Sequence, residues 1–233
     1  MDITRDSLVA DVATGMPATV RTFQQHQIDF CCGGKRPIAE VCAERGLDPD
    51  VLLGELRASE TLSNAGRDWR QAPMSDLIGY IQTRFHEPLR DELPRLGQMM
   101  AKVVSRHGDR LPEVLVPLQQ TLNTLHVDLL HHMQKEDQIL FPAIRTIEEG
   151  RTGANAAWIE QPIGVLEDEH EQAGAALARI RELTSDFTPP PDACPTFRGL
   201  YYGLAELERE MHVHVHLENN ILFPRAAELA RNR

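Results

Sequence analysis

His132-Met-Gln-Lys-Glu136 and His214-Val-His-Leu-Glu218 each place a histidine four residues before a glutamate, and both run on into Ile-Leu-Phe-Pro. A second echo accompanies them: Phe85-His86-Glu87 returns as Glu169-His170-Glu171 at nearly the same separation. Residues four apart on an α-helix share a face, with Cβ atoms about 6 Å apart, so each His-x-x-x-Glu pair can aim at one point. His86, His132, His170 and His214, with Glu136 and Glu218 as bridging carboxylates, make a ligand set for two metal ions. Such a set leaves coordination positions for a small exogenous molecule.

A single His-x-x-x-Glu is more often a surface pair worth a few tenths of a kcal/mol. Two copies in a duplicated frame, each preceded by a lone histidine, shift the balance toward a metal centre. An uncompensated carboxylate inside an apolar bundle costs several kcal/mol or takes up a proton, and bound cations remove that cost. Imidazole with carboxylate suits iron, manganese, zinc or copper. Bridging carboxylates between helices point to a di-iron or di-manganese arrangement. Four neutral imidazoles leave the pair positive, which favours an oxo bridge, O2 or NO. The remaining histidines, His26, His107, His126, His131, His212 and His216, face away or have no counterpart in the repeat and are read as non-ligands. Asp128 and Glu210, each four residues before a ligand histidine, are expected to accept the imidazole N–H.

Long helices must hold these residues. Apolar positions recur three and four apart over residues 74 to about 104, 112–148, 158–183 and 197–229, as in Leu77, Tyr80, Ile81 and Phe85. Breaks fall at His107-Gly108-Asp109, at 150–153 and at Thr188-Pro189-Pro190-Pro191. No β-type alternation appears. The expectation is an all-α protein: an antiparallel up-down four-helix bundle over 72–233, with Pro142 and Pro224 kinking or ending their helices at equivalent places. Residues 1–58 read as a small helical domain broken by turn signals, with Asp48-Pro49 opening a helix, and 59–71 as a linker.

Of four cysteines, Cys31 and Cys32 are adjacent, in Asp29-Phe30-Cys31-Cys32-Gly33-Gly34-Lys35-Arg36. This is too sparse for a disulfide scaffold, and free thiols are expected. The segment reads as an exposed turn whose basic residues favour thiolate at Cys31 and Cys32. Cys42 and Cys194 read as structural. The chain has 233 residues, 42% hydrophobic and 25% charged, with a formal net charge of −11. No basic patch suits nucleic acid, and no apolar run approaches the roughly 20 residues that span a bilayer. With a polar start, a cytoplasmic location is expected.

Taken together, Cys31-Cys32-Gly33-Gly34, the two His-x-x-x-Glu motifs with their Ile-Leu-Phe-Pro, and Glu169-His170-Glu171 resemble the Repair of Iron Centres family over essentially the whole chain. The resemblance implies a hemerythrin-like bundle with a non-haem di-iron centre. His86, His132, His170 and His214 would be terminal ligands, and Glu136 and Glu218 the bridges. It implies a role under nitrosative and oxidative stress in restoring damaged iron–sulfur clusters, with iron–sulfur proteins as clients and iron donation as one route. Binding of NO or O2 without turnover, or reduction of NO to N2O, are the alternatives, with Cys31 and Cys32 relaying electrons or accepting NO. Glu169 matches a family position thought to influence access to the centre.

Overall fold

In a computed structural model, residues 2–61, 67–151 and 157–232 are described. All regular structure among them is helical; the sole extended pairing is an isolated bridge between Leu8 and Pro37.

The N-terminal helices are α1 (Val9–Gly15), α2 (Val20–Gln25), α3 (Ile38–Arg45) and α4 (Pro49–Thr61). Asp48 caps α4 as expected, its Oδ1 accepting the Asp50 N–H at 2.8 Å beside Pro49 in the first turn. Gly46 ends α3 in the left-handed conformation (φ +66°). These helices enclose a core of their own, which includes Val12, Phe23, Phe30, Ile38 and Leu56. The middle of the expected linker, 62–66, lies outside the described residues; its first residues, 59–61, continue α4.

Four long helical rods follow. The first comprises α5 (Met74–Ile81), a π-helical turn (Gln82–His86) and α6 (Glu87–His107). The second is α7 (Pro112–Lys135), a π turn (Glu136–Leu140) and α8 (Phe141–Glu148). The third, α9 (Glu160–Leu183), is unbroken after a 3-10 turn (Ala157–Ile159). The fourth is α10 (Pro195–Leu217), a π turn (Glu218–Leu222) and α11 (Phe223–Arg231). Contacts of α6 with α7, α7 with α9, α9 with α10 and α10 with α6 close the ring, and α5 meets α8 at one end: an antiparallel up-down bundle. Leu77, Leu93, Leu118, Leu177, Leu200 and their neighbours fill its core.

Pro142 and Pro224 do not end their helices. Each is the second residue of the α-helix that resumes after a π turn, and Pro88 stands in the same relation to the first one. A proline ring clashes with the carbonyl four residues back and brings no N–H to it. Lengthening the turn to an i→i+5 bond moves that carbonyl aside; here the Glu87, Phe141 and Phe223 N–H groups donate to the carbonyls of Gln82, Glu136 and Glu218. Pro94 and Pro117 lie in ordinary α-helix, so proline alone does not create the wide turn.

The N-terminal helices are joined to the bundle through Phe30 and Cys31. The buried His216 Nδ1–H donates to the Phe30 carbonyl at 3.2 Å, Asn220 Nδ2 donates to the Cys31 carbonyl at 3.2 Å, and the Phe30 ring meets His216 edge-on. Burial pushes His216 down to about 4, against the weaker opposing pull of the Phe30 carbonyl. The unfolded chain, with a histidine near 6.5, takes up this proton first, so stability is lost as pH falls from about 6.5 toward 4. Thermal melts should show Tm dropping between pH 7 and pH 5, and His216→Gln should blunt the drop. An identical pH dependence in both proteins would exclude His216 as its source.

Candidate metal centre

The repeat brings its six residues to one place. His86 closes the π turn of the first rod, His132 lies in the last turn of α7, His170 sits mid-way along α9 and His214 is in the last turn of α10. Glu136 and Glu218 each open a π turn. All six are buried, the two glutamates completely. They form two overlapping groups, His86, His214, Glu136 and Glu218, and His132, His170, Glu136 and Glu218, whose candidate ligand atoms lie within 4.8 Å of one another in each group.

Both glutamates belong to both groups, and their oxygens divide accordingly. Glu136 turns Oε2 toward His86 Nε2 (3.4 Å) and Oε1 toward His132 Nε2 (3.3 Å). Glu218 turns Oε1 toward His214 Nε2 (3.1 Å) and Oε2 toward His170 Nε2 (3.2 Å). This is the geometry of two carboxylates spanning two cation positions. Both oxygens of Glu136, Oε2 of Glu218 and the Nε2 atoms of His132 and His170 are buried without a hydrogen bond among the described residues. Buried polar atoms are normally paired, so a cluster of unpaired acceptors converging on one spot fits a pair of cations. Two iron ions suit this imidazole and carboxylate donor set.

Three imidazoles are held from behind. His86 Nδ1–H donates to Asp137 Oδ1 (3.1 Å), His132 Nδ1–H to Glu169 Oε2 (2.9 Å) and His170 Nδ1–H to Asn219 Oδ1 (2.7 Å). Each bond puts the proton on Nδ1 and leaves the Nε2 lone pair for a cation. Asp137 is itself fixed by Gln82 and Arg90, and Glu169 by Lys135. Asp128 and Glu210, expected in this role, do not perform it: Asp128 is exposed, and Glu210 pairs with Arg84. Four residues before the histidine is the wrong direction, because the acceptors come from neighbouring rods. Asp137 and Asn219 do carry a sequence signal, since each directly follows its glutamate in the repeat.

The Ile-Leu-Phe-Pro echo also gains a purpose. Phe141 stacks on His86 (5.6 Å between centroids, 16° between planes), and Phe223 on His170 (6.0 Å, 4°). An i→i+5 turn sets residues five apart above one another, so Glu136 and Phe141, like Glu218 and Phe223, serve the same pocket. The remaining histidines stay outside both groups. His216 and His212 border Phe30, His26 pairs with Glu55, and the His107 ring lies against Phe197.

The charges balance internally without metal. Burial opposes protonation of His86, but hydrogen bonds to Asp137 and Glu218 and the charge of Glu136 outweigh it and raise His86 to about 10. Burial opposes protonation of His132 too, and the glutamates overcome it, raising His132 to about 9. Deeper burial lowers His214. Burial would raise Glu218, yet the surrounding imidazoles hold it well below the usual carboxylate range.

Cys31 departs from the expectation of an exposed thiolate. It is buried, counts with the bundle's core, and donates from Sγ to Asp29 Oδ1 (3.1 Å). Its neighbour Cys32, burial and the Asp29 charge all raise the thiol well above its ordinary value. The basic residues nearby in sequence act elsewhere: Arg36 pairs with Glu40 and Glu44, and Lys35 is exposed. Asp29 organises the turn, accepting the Cys31 and Gly33 N–H groups at 2.8 Å each. A side chain at Gly34 would strike the Phe30 carbonyl and Ala10. Cys32 is half-buried beside Gly174 of α9, one turn past His170, at a cleft of about 590 Å³ also lined by Arg181 and His212. Cys42 is buried in the N-terminal core, and Cys194 packs against the bundle's; all four thiols are free.

Residues 78–226 match the profile of the Hemerythrin HHE cation binding domain, and residues 5–60 match ScdA_N, described as a domain of unknown function (DUF542). Along nearly its whole length the chain is similar to proteins named iron–sulfur cluster repair protein YtfE. It is 41% identical over 226 residues to that of Yersinia pseudotuberculosis, covering 97% of this chain and 98% of the relative. It is 40% identical over 222 residues to that of Dickeya chrysanthemi, covering 95% and 97%. The chain belongs to the Repair of Iron Centres family. A hemerythrin-type bundle is joined to a short cysteine-bearing segment, and no described helix is long and apolar enough to cross a membrane.

Glu136 faces His86 and His132 and raises both, so Glu136→Gln should lower the Tm of the metal-free protein. It should also abolish the rise in Tm that the parent shows on adding ferrous iron. A variant that keeps the full iron-dependent rise would exclude Glu136 as a ligand.

Proposed function

We propose that this protein holds two non-haem iron ions between its rods and uses them in the cytoplasm to restore iron–sulfur proteins damaged under nitrosative and oxidative stress. His86 and His214 would hold one ion, His132 and His170 the other, and Glu136 and Glu218 would each offer one oxygen toward either pair. The observation that carries this reading is the division of each buried carboxylate between two histidine pairs. The relatives' printed name, iron–sulfur cluster repair protein, supports the direction of the chemistry.

When bound, the iron pair would supply a redox-active, Lewis-acidic centre able to react with NO or O2. The chain's own residues do the rest. Asp137, Glu169 and Asn219 keep three imidazole lone pairs aimed inward, and Phe141 and Phe223 cover two rings with apolar surface that keeps bulk water away. Glu169, half-buried and tied to Lys135, borders the His132 side of the centre and bears on access there. Cys32, at the cleft one turn from His170, with Cys31 behind it, provides thiols through which electrons pass between a partner and the bundle.

Protein reconstituted with ferrous iron should restore activity to an NO-damaged iron–sulfur enzyme several-fold faster than the same iron supplied with a small thiol, and His132→Ala should reduce it to that control. Recovery no better than the control would sink the repair reading. Sustained N2O formation with an electron donor would favour NO reduction, and a persistent nitrosyl adduct without N2O would favour NO capture. Under the thiol-relay reading, replacing both Cys31 and Cys32 by serine should slow recovery while leaving iron content unchanged.

A further inference from the structure

The two halves of the centre are built on one plan, and the acceptor behind one pair of equivalent histidines is present in only one half. His86 and His170 correspond, and each is backed by the residue after a bridging glutamate, Asp137 or Asn219. His132 and His214 correspond, and here the plan breaks. The residue before the first histidine of each half is Glu169 in one and Phe85 in the other. Glu169 accepts the His132 Nδ1–H at 2.9 Å. Phe85 lies flat on the His214 ring, with centroids 5.1 Å apart and planes 4° from parallel, and offers no acceptor. His214 Nδ1 is buried with no hydrogen-bond partner among the described residues.

This matters for how firmly each imidazole can hold a cation. To present its Nε2 lone pair, a neutral histidine must keep its proton on Nδ1. At His132 that proton is received by a carboxylate, which fixes the tautomer and makes Nε2 more basic. At His214 the proton would be buried against a phenyl ring and unpaired, which is costly. The other tautomer puts it on Nε2, where Glu218 Oε1 at 3.1 Å can receive it, so a cation must compete with that hydrogen bond. The partners of the other two histidines do not cancel this. Asp137 is a stronger acceptor than Asn219, but Asn219 still receives the His170 Nδ1–H, whereas no acceptor among the described residues receives that of His214.

We infer that the two metal positions are unequal: the ion held by His86 and His214 is bound more weakly and leaves first, because Phe85 stands where Glu169 stands in the other half. Glu169 and Phe85 are positioning residues that act through His132 and His214. This rests on the dinuclear reading above and gives the centre one retained and one exchangeable ion, an arrangement suited to giving up iron without losing the whole site.

The test loads the intact protein anaerobically with ferrous iron, measures iron per chain, and follows its transfer to a colorimetric ferrous chelator. The parent should bind two ions and release them in two equal phases. His214→Ala should remove the fast phase and keep the slow one. Glu169→Leu should speed the slow phase by roughly 10- to 100-fold, the usual effect of losing such an outer partner. Glu169→Gln, which keeps an acceptor, should fall between. Glu169 is half-buried and at the bundle's margin, so these variants should fold, as circular dichroism would verify; Phe85→Gln should in turn slow the fast phase. Two ions leaving the parent in one phase would overturn the inference while leaving the dinuclear centre intact, as would a slow phase unmoved by Glu169→Leu. A parent that binds no iron would overturn both.

Discussion

Two carboxylates are buried completely in the middle of a helical bundle, and the local structure answers to that constraint. Glu136 and Glu218 would each be expelled from an apolar interior or forced to take up a proton. Their oxygens instead face four imidazoles, in an arrangement that could hold cations, and the glutamates raise two of those imidazoles, His86 and His132. Those imidazoles need fixed tautomers, so Asp137, Glu169 and Asn219 stand behind three of them. The rings need apolar cover, so Phe141, Phe223 and Phe85 stack on three of the four. The bundle is thus organised outward from a charge problem, with leucine packing filling the space beyond it.

The π turns are the structural means of fitting these demands onto straight rods. Each of the three lies at the centre, includes or adjoins a ligand candidate, and is followed after one residue by proline. In regular α-helix, residues five apart point in different directions. The wider turn lets one short segment offer both a carboxylate to the centre and a phenyl ring to a neighbouring imidazole. The rod without such a proline, α9, has no π turn and contributes only His170 and the outer acceptor Glu169. The N-terminal helices reach the same region from outside. Phe30 and Cys31 dock on His216 and Asn220 of the fourth rod, which sets Cys32 about one turn from His170. The cysteine turn is held by Asp29 and by close backbone approach at Gly34, and its position is more informative than its charge.

Much of this was legible in the sequence, and for definite reasons. Helical periodicity and a duplicated His-x-x-x-Glu identify six side chains and four rods, because positions four apart on a helix must share a face whatever surrounds them. Turn residues such as Asp48-Pro49 and Gly46 act locally and are read locally. What was misread depended on neighbours in space. Lys35 and Arg36 adjoin Cys31 and Cys32 in sequence, yet Asp29 and the bundle core decide the protonation of Cys31. Asp128 and Glu210 share a helix with His132 and His214, yet the imidazoles turn their Nδ1 atoms toward other rods.

The sequence by itself determined that this is an all-α protein with a doubled metal-binding motif, since the repeat and its spacing are properties of a single chain read in order. Only the tertiary structure decided that the prolines widen their helices instead of ending them, that Asp137 and Asn219 back the histidines of neighbouring rods, and that the mismatch of Phe85 with Glu169 falls behind His214 and His132. The physical reason is that hydrogen bonds and ring stacking between rods depend on which helices are adjacent and how they are rotated. Those quantities are set by packing the whole bundle around its buried carboxylates, and no short stretch of sequence contains them.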